Sequence, residues 1–167
     1  MQKVIHTCNW DEGPGISIKF YIEKQQVQST QLLSCLNHGI ELEILSNQQD
    51  KHLISKIETW LEDYSYGQNP TITLPLNLDT FPPFAKKVLM AIQSVSFGQF
   101  CSYGDLARQS GSARAARAVG SACRRNLFPL IIPCHRVLAS GQRLGGYSAG
   151  EGLEMKKKLL EYENIYL

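Results

Sequence analysis

The pattern of hydrophobic and polar positions predicts an α/β arrangement in the first half of the chain. Alternation in "GISIKFYIEKQQV" predicts a strand over residues 15–27, and "GIELEIL" predicts another strand. "TITLPLNL" predicts a further strand or an extended edge. An amphipathic helix that stops before Gly67 is predicted between these segments. Its apolar residues have the i, i+3, i+4, i+7 spacing of one helix face and are Leu53, Ile54, Ile57, Trp60 and Leu61.

The second half has the periodicity of helices. "PFAKKVLMAIQSV" predicts one helix after a proline-marked boundary. In "SYGDLARQSGSARAARAVGSACRRN", Ser102 and Asp105 have capping-box spacing and predict a short helix through about Arg108. Gly111 ends that helix, and Ser112 is placed to cap a second one, "ARAARAVGSACRR". Two short helices joined by a tight turn containing glycine are typical of a helix-turn-helix.

These elements predict two domains. Residues 1–80 form an α/β (α+β) N-terminal domain, and residues 81–167 form a mainly helical C-terminal domain with a helix-turn-helix of winged-helix-like type. A chain of 167 residues with 43% hydrophobic residues is large enough for this arrangement. No apolar stretch is long enough to span a bilayer, and the N-terminal residues do not read as a signal peptide. We therefore expect a cytoplasmic monomer with no membrane partner.

Charge is distributed unevenly between the two predicted domains. Residues 1–80 contain five Lys and Arg against ten Asp and Glu, whereas residues 81–167 contain twelve against five, so the net charges are −5 and +7. Every arginine lies in the second part, and the guanidinium group suits phosphates and base edges. This distribution favours a nucleic-acid partner, with a merely solvated basic surface as the alternative.

The second predicted helix of the pair concentrates this basic charge on one face. The residues of that face are Arg114, Arg117, Ser121 and Arg124, and those of the opposite face are Ala115, Val119 and Ala122. Small residues on a presented helix let its backbone approach DNA closely. An ordinary helical pair with a solvated arginine face is the alternative interpretation.

The five cysteines are an odd number without dense regular spacing, which predicts free thiols. His6 with Cys8 and Cys35 with His38 form two close pairs of metal-ligand types, but their spacing matches no strong zinc signature. We therefore expect no metal and no cofactor.

Cys134 ends the apolar segment in "LIIPCHRV" and is the strongest candidate for a reactive residue. Its thiol needs a nearby cation or base to ionise at neutral pH, and His135 and Arg136 are the candidates that adjoin it. The alternatives are an inert core cysteine and a thiol hydrolase, although adjacent Cys and His are not the usual geometry of a hydrolase.

The motifs of the second half resemble those of the O6-alkylguanine-DNA alkyltransferases, the methylated-DNA–protein-cysteine methyltransferases. The resemblance extends over residues 78–163 in the ordered blocks "FGQFCSYGDLA", "ARAARAVGSACRRN", "PLIIPCHRV", "GGYSAG" and "LLEYE". It implies repair of duplex DNA containing O6-alkylguanine, with O4-alkylthymine as a further substrate. The damaged base is flipped out of the helix, and its alkyl group is transferred once to Cys134.

The resemblance also implies roles for individual residues. Cys134 is the nucleophile, His135 is the base that is linked to it through water, Glu163 orients His135, and Asn126 ties the second helix to the active-site loop. The expected base pocket consists of Tyr103, Val137, Tyr147, Ser148 and Cys123, with carbonyls of Cys134 and Val137 accepting from the guanine amino group. The expected DNA contacts are Arg117 and Tyr103, which assist base flipping, together with Arg114, Ser121, Arg124, Arg125 and Arg136.

Some positions depart from the pattern of the family. Cys123 stands where methionine is common, Leu127 where proline is frequent, and Ala149 where glycine is common; Glu151 and Gly152 resemble an insertion. A lesion-binding relative without catalysis is an alternative, but such relatives lack the cysteine found here at position 134. A helix-turn-helix regulator is another alternative, and it would not require "PCHR" or Glu163.

Overall fold

The computed structural model describes residues 3–167 as a mixed α/β chain with two compact units, whose boundary along the chain falls between Asn77 and Leu78. The N-terminal unit contains four strands, β1 (Lys3–Trp10), β2 (Pro14–Glu23), β3 (Gln26–Ser34) and β4 (Gly39–Ser46), in the order β1-β4-β2-β3. The pair β2–β4 is parallel, and the pairs β1–β4 and β2–β3 are antiparallel.

Helix α1 (Lys51–Ser65) contacts β1 and β4 and supplies part of the core of this unit. Alternate residues of the strands are buried, as expected for a sheet with one covered face. The buried residues of the sheet and helix include Ile16, Ile18, Phe20, Leu42, Ile44, Ile57 and Leu61. The predicted helix is confirmed, because the Asp50 side chain caps the Leu53 amide at 3.0 Å and Gly67 follows with a φ of 68°.

One strand prediction for this unit needs correction, and another is resolved in favour of its second alternative. The segment 15–27 is not one strand, because Lys24 and Gln25 adopt positive φ angles and form the turn of a β2–β3 hairpin. Residues 71–78 form no regular strand; the segment runs as an extended edge, with an isolated bridge between Leu76 and Val27. Strand β1 was not predicted, since its residues alternate less regularly between exposed and half-buried positions.

The C-terminal unit contains helices α2 (Pro83–Gln93), α3 (Tyr103–Gln109), α4 (Ala116–Arg124) and α5 (Leu153–Tyr162). Two short strands, β5 (Cys101–Ser102) and β6 (Val137–Leu138), pair in parallel. A 3₁₀ turn at Cys134–Arg136 precedes β6 and contacts α5, while α2, α3 and α4 contact one another. The buried residues of this unit include Val88, Leu89, Leu106, Val119, Phe128 and Ile132.

The pair formed by α3 and α4 matches the prediction at its first helix. Ser102 and Asp105 form the predicted capping box, and Gly111 follows α3 with a φ of 86°. The second helix begins at Ala116 rather than at residue 113, which corrects the prediction. Ser112 does not cap it; its carbonyl instead accepts from the Ala115 amide in a turn, so that Arg114 precedes the helix.

No helix within residues 3–167 is both long and apolar enough to cross a lipid bilayer.

Candidate active site

The segment before Cys134 fixes its position by burial. Phe128, Leu130 and Ile132 are almost fully buried, and Pro133 leads into the 3₁₀ turn that Cys134 opens. The backbone of a residue held this way cannot move far, since the segment before it is packed in the core. Cys134 itself is 5% exposed, so its thiol is reached only from a cavity.

Asn126 joins the end of α4 to this segment through its side-chain amide. Its Nδ2 donates to the carbonyl of Ile132 at 2.8 Å and to Sγ of Cys134 at 3.1 Å, while its Oδ1 accepts from the Phe128 amide at 2.9 Å. The donor to sulfur stabilises a thiolate more than a thiol. Asn126 therefore both orients Cys134 and favours its ionised form.

Glu163, which follows α5 directly, binds both side chains that adjoin Cys134. Its carboxylate accepts from Nε2 of His135 at 2.7 Å, and from Nε and Nη2 of Arg136 at 2.7 and 2.9 Å. All three side chains are buried. Burial raises the pKa of Glu163, but its interactions with His135 and Arg136 outweigh burial and lower that pKa to about 2.

The His135 ring is held as a neutral base. Because Nε2 faces a carboxylate, it carries the ring proton, and Nδ1 keeps its lone pair. Nδ1 is buried and has no hydrogen-bond partner among residues 3–167. Burial lowers the pKa of His135 despite the opposing charge of Glu163, so the ring can accept a proton at Nδ1.

The Cys134 thiol is protonated at rest. Burial raises its pKa, and the Asn126 hydrogen bond and the charge on Lys156 act in the opposite direction. A thiol of this kind becomes an effective nucleophile only when a base removes its proton. The neighbouring imidazole can supply that base.

Lys156 is a functional residue that the sequence interpretation missed. It is fully buried in α5, and its Nζ donates to the carbonyls of Val137 at 2.7 Å, Gly146 at 3.4 Å and Leu144. Burial lowers the pKa of Lys156 to about 8, although the thiols of Cys134 and Cys123 raise it in part. A signal was present, because positions 156, 159, 160 and 163 have the i, i+3, i+4, i+7 spacing of a buried helix face.

A cavity of about 700 Å³ opens beside the Cys134 thiol. Its walls come from α3, α4 and the loop before α5, and its lining residues are Tyr103, Arg117, Gly120, Ser121, Cys123, Arg124, Cys134, Gly146, Tyr147 and Ser148. The Tyr147 hydroxyl is buried without a hydrogen-bond partner among residues 3–167, and burial raises its pKa well above 10. The cavity is thus largely apolar near the thiol, with arginines at its α4 side.

Gly145 leaves room for the Tyr103 ring at this cavity. A Cβ on Gly145 would lie 3.1 Å from the ring carbon Cε2, whereas one on Gly120 would make an ordinary contact with Cε1 at 4.0 Å. Gly145 also has a φ of 67°, which side-chain-bearing residues rarely adopt. Burial, and then the nearby Cys123 and Cys134, raise the pKa of Tyr103 to about 12, so its hydroxyl remains a hydrogen-bond donor.

The structure brings most of the predicted pocket residues together. Cys134, Tyr103, Cys123, Tyr147 and Ser148 share the cavity. Ser148 donates to the carbonyl of Arg124 at 3.2 Å and so links the loop to the end of α4. The predicted DNA contacts Arg114, Arg117, Ser121, Arg124 and Arg125 are exposed.

Val137, which was predicted in the base pocket, and Arg136, which was predicted to contact DNA, both lie elsewhere. Val137 does not line the cavity, and its carbonyl already accepts from Lys156, with one lone pair left. Arg136 was predicted to contact DNA, and this prediction is wrong. It is 4% exposed, and its guanidinium is bound by Glu163 and the Val95 carbonyl.

Residues 3–167 contain no group of three or more His, Cys, Asp and Glu side chains arranged to hold a metal ion. Of the two close pairs noted above, His6 binds Glu58 at 2.8 Å, and the Cys35 thiol donates to the Asn37 carbonyl.

The sequence of this chain is similar to the sequences of known proteins of one family. The sequence model of the family described as 6-O-methylguanine DNA methyltransferase, DNA binding domain, matches residues 83–165. The constitutive methylated-DNA–protein-cysteine methyltransferase of Bacillus subtilis is 39% identical over 112 residues, which are 67% of each chain. That of Methanocaldococcus jannaschii is 40% identical over 124 residues, which are 74% of this chain and 71% of the relative. The chain belongs to the methylated-DNA–protein-cysteine methyltransferase family.

A solved structure of the same family extends the likeness to both units. Mycobacterium tuberculosis OGT in complex with DNA is 27% identical, with a TM-score of 0.65 over 88% of this chain and 92% of the other. The family assignment made from the motifs of the second half is confirmed, and so is the methyltransferase class.

Proposed function

We propose that this protein repairs DNA by transferring the alkyl group of O6-alkylguanine in duplex DNA to its own Cys134. The family assignment, the names of the relatives and the DNA complex of the Mycobacterium tuberculosis relative support this function. The observation that carries it is the Cys134 thiol, which lines a cavity large enough for a purine and is followed in the chain by a base held by Glu163.

DNA binds through the C-terminal unit, in which α3 and α4 act as a helix-turn-helix of winged-helix-like type. Arg124 and Arg125, at the end of α4, are exposed and suited to phosphates. The target O6 is inaccessible inside the stacked duplex, so the guanine rotates out into the cavity. Arg117 is exposed and also lines the cavity, which suits it to fill the gap left by the base.

The transfer is a displacement at the alkyl carbon. The Cys134 proton passes to Nδ1 of His135, and the resemblance to the family implies that a water molecule relays it. The thiolate then forms the sulfur–carbon bond as the carbon–O6 bond breaks, and the electron pair leaves with the guanine. The guanine anion takes up a proton from water to restore its neutral form, and the His135 imidazolium releases its proton to water. Glu163 and Arg136 keep His135 oriented throughout.

Several groups recognise and stabilise the departing base. Tyr103 donates a hydrogen bond to it, because its raised pKa keeps the hydroxyl protonated. Tyr147 forms a wall of the pocket, and the Ser148 region contacts O6 after releasing the Arg124 carbonyl. The second lone pair of the Cys134 carbonyl accepts from the guanine amino group.

Each molecule acts once, since a thioether is a poor leaving group and the alkylated Cys134 is not regenerated. The test is intact-protein mass spectrometry after incubation with a duplex that contains one O6-methylguanine. We expect a gain of one methyl group per protein, mapped to the peptide that bears Cys134. The variant Cys134→Ser should bind the same duplex without gaining mass. DNA binding without any methylation of the unaltered protein would instead identify a lesion-binding protein.

A further inference from the structure

A cavity of about 400 Å³ lies in the N-terminal unit and shares no residue with the site described above. It opens beyond the carboxyl ends of the parallel strands β2 and β4, whose residues Ile22 and Ser46 pair with each other and both line it. Ligands of open α/β sheets bind at this edge, outside the ends of the parallel strands. The other lining residues come from the β2–β3 turn and from the segment that enters α1, and they are Lys24, Gln25, Gln48, Gln49, Asp50 and Lys51.

Two cations line this cavity in a unit that is otherwise acidic. Residues 1–80 contain five lysines and no arginine, and Lys24 and Lys51 are two of those five. Both side chains are exposed, and neither forms an ion pair within the described part of the chain, residues 3–167. Lys19, by contrast, is bound by Glu43 at 2.7 Å. The charges of Lys24 and Lys51 are therefore available to a ligand.

The polar groups around these lysines are mainly hydrogen-bond donors. Ser46 is 3% exposed, and its Oγ accepts from the Gln48 amide at 3.1 Å. The hydroxyl proton of Ser46 has no acceptor among the residues that the structure describes, 3–167, although buried hydroxyls normally donate. The side-chain amides of Gln25, Gln48 and Gln49 have no protein partner in that range either. A ligand with several acceptor oxygens would satisfy these donors.

The acidic side chain that lines the cavity is already engaged. Oδ1 of Asp50 accepts from the Leu53 amide at 3.0 Å and caps α1. Two lysines against this one aspartate leave the lining with a net charge of +1. The cavity therefore favours an anion over a cation.

The β2–β3 turn presents long polar side chains where small residues are usual. Lys24 and Gln25 have φ angles of 50° and 60°, at the two central turn positions that favour Asn and Gly. This backbone region is unfavourable for residues with long side chains, and such residues are concentrated at functional sites. An Asn-Gly turn would form the same hairpin without placing an ammonium group and a carboxamide at the cavity.

We propose that this cavity binds a phosphate ion or the phosphate group of a small ester, held by the ammonium groups of Lys24 and Lys51 and by the Ser46 hydroxyl. The oxygens of phosphate accept charge-assisted hydrogen bonds from all three groups. Ile22 is the only apolar lining residue and none is aromatic, so the cavity offers no stacking partner to a base. Duplex DNA is not the expected source of the phosphate, because residues 1–80 carry a net charge of −5. The inference does not depend on transfer to Cys134.

The experiment follows the backbone amides of the full chain by NMR during titration with inorganic phosphate and, separately, with ribose 5-phosphate at constant ionic strength. We expect saturable shifts at residues 22–25 and 46–51, and none when chloride replaces the phosphate. Lys24→Met and Lys51→Met should each weaken binding about 10-fold, because each removes one charge-assisted hydrogen bond. Lys56→Met removes another lysine of α1 that does not line the cavity, and it should leave the affinity unchanged.

Saturable binding of either phosphate probe that both cavity-lysine variants weaken supports the inference. Shifts that do not saturate, or that persist unchanged in Lys24→Met and Lys51→Met, overturn it. If Lys24→Met disturbs the turn, Lys51→Met decides alone. An undamaged duplex should leave the shifts of residues 22–25 and 46–51 unchanged, and a duplex that competes with phosphate there would overturn the assignment to a small molecule. The titration does not measure methyl transfer, so failure of the proposed function would be seen separately.

Discussion

A single buried carboxylate organises the residues next to the nucleophile. Glu163 accepts two hydrogen bonds from Arg136 and one from His135. The permanent charge of Arg136 balances that of Glu163, which lets the His135 ring stay neutral and keep a lone pair at Nδ1. A buried charge without such partners would be strongly unfavourable. The Glu163–Arg136 ion pair is therefore needed to keep His135 neutral and able to act as a base, and it is also part of the buried core.

Replacing this carboxylate should lower both activity and stability. In Glu163→Gln, Arg136 becomes a buried cation without a counter-charge, and we expect the free energy of unfolding to fall by about 3 kcal/mol at pH 7. The rate of methyl transfer should fall about 100-fold or more, because His135 loses its orientation. Urea unfolding and the intact-mass assay measure the two effects.

The pH dependence distinguishes the charge of Glu163 from its packing. Its pKa is about 2 in the folded protein against an ordinary value of 4.5. A depressed carboxyl pKa contributes stability that is present above pH 4.5 and lost as the pH falls towards 2. The stability difference between the unaltered protein and Glu163→Gln should therefore shrink over this window. Glu161→Gln, an exposed neighbour on α5, is the control, and a constant difference for Glu163→Gln would contradict the assignment of its charge.

Single residues differ in how far the sequence predicts them. Cys134 and His135 stand in a motif specific enough to identify them from the chain alone. The DNA contact predicted for Arg136 was wrong, because nothing in the sequence shows which way a side chain points in a 3₁₀ turn. Lys156 was missed because a run of three lysines usually marks a solvated face, although its spacing from Leu159, Leu160 and Glu163 indicates burial.

At the scale of elements, helix α5 holds the segments of the active site in place. Its residue Lys156 binds three backbone carbonyls, that of Val137 in β6 and those of Leu144 and Gly146 in the loop that follows. Glu163 follows the last turn of the same helix and binds the 3₁₀ turn. One helix therefore positions both the loop that forms the pocket and the turn that bears Cys134.

Removing the charge of Lys156 should loosen this support. In Lys156→Met the three carbonyls lose their shared donor, and we expect the free energy of unfolding to fall by about 2 kcal/mol. The pKa of Cys134 should rise, since the charge of Lys156 lowers it, and methyl transfer at pH 7 should slow about 10-fold. Lys157→Met, which removes an exposed charge one residue later, should leave all three quantities unchanged. Equal effects of the two substitutions would contradict this role.

Elements are predicted where their ends are marked by local chemistry. The Asp50 cap and Gly67 define α1, and the Ser102–Asp105 box defines the start of α3. The β2–β3 turn was missed because Lys24 and Gln25 adopt backbone angles that Asn and Gly usually signal. The start of α4 was misplaced because its alanine-rich sequence favours helix from residue 113, whereas the hydrogen bond from Ala115 to Ser112 forms a turn there.

At the scale of the whole molecule, charge separates the two units. The N-terminal unit carries the acidic part of the sequence, and the arginines all lie in the C-terminal unit. Phosphate contacts supply affinity without reading sequence, which suits a protein that must search long duplexes for rare lesions. The modest total charge of +2 is consistent with transient contacts along intact DNA.

The salt dependence of DNA binding measures how many of these arginines reach phosphates. Each phosphate contact contributes about 0.9 to the slope of log K against log salt concentration, because binding releases a condensed counterion. Arg124→Ala and Arg125→Ala should each reduce the slope by about 0.9, for duplexes with and without a lesion alike. Lys24→Ala removes an exposed charge from the β2–β3 turn of the N-terminal unit and should leave the slope unchanged. A slope that falls with Lys24→Ala but not with the arginine variants would place DNA on the N-terminal unit. If all three variants keep the slope of the unaltered protein, neither arginine reaches a phosphate. The affinity for DNA would then have to come from other cations of the C-terminal unit.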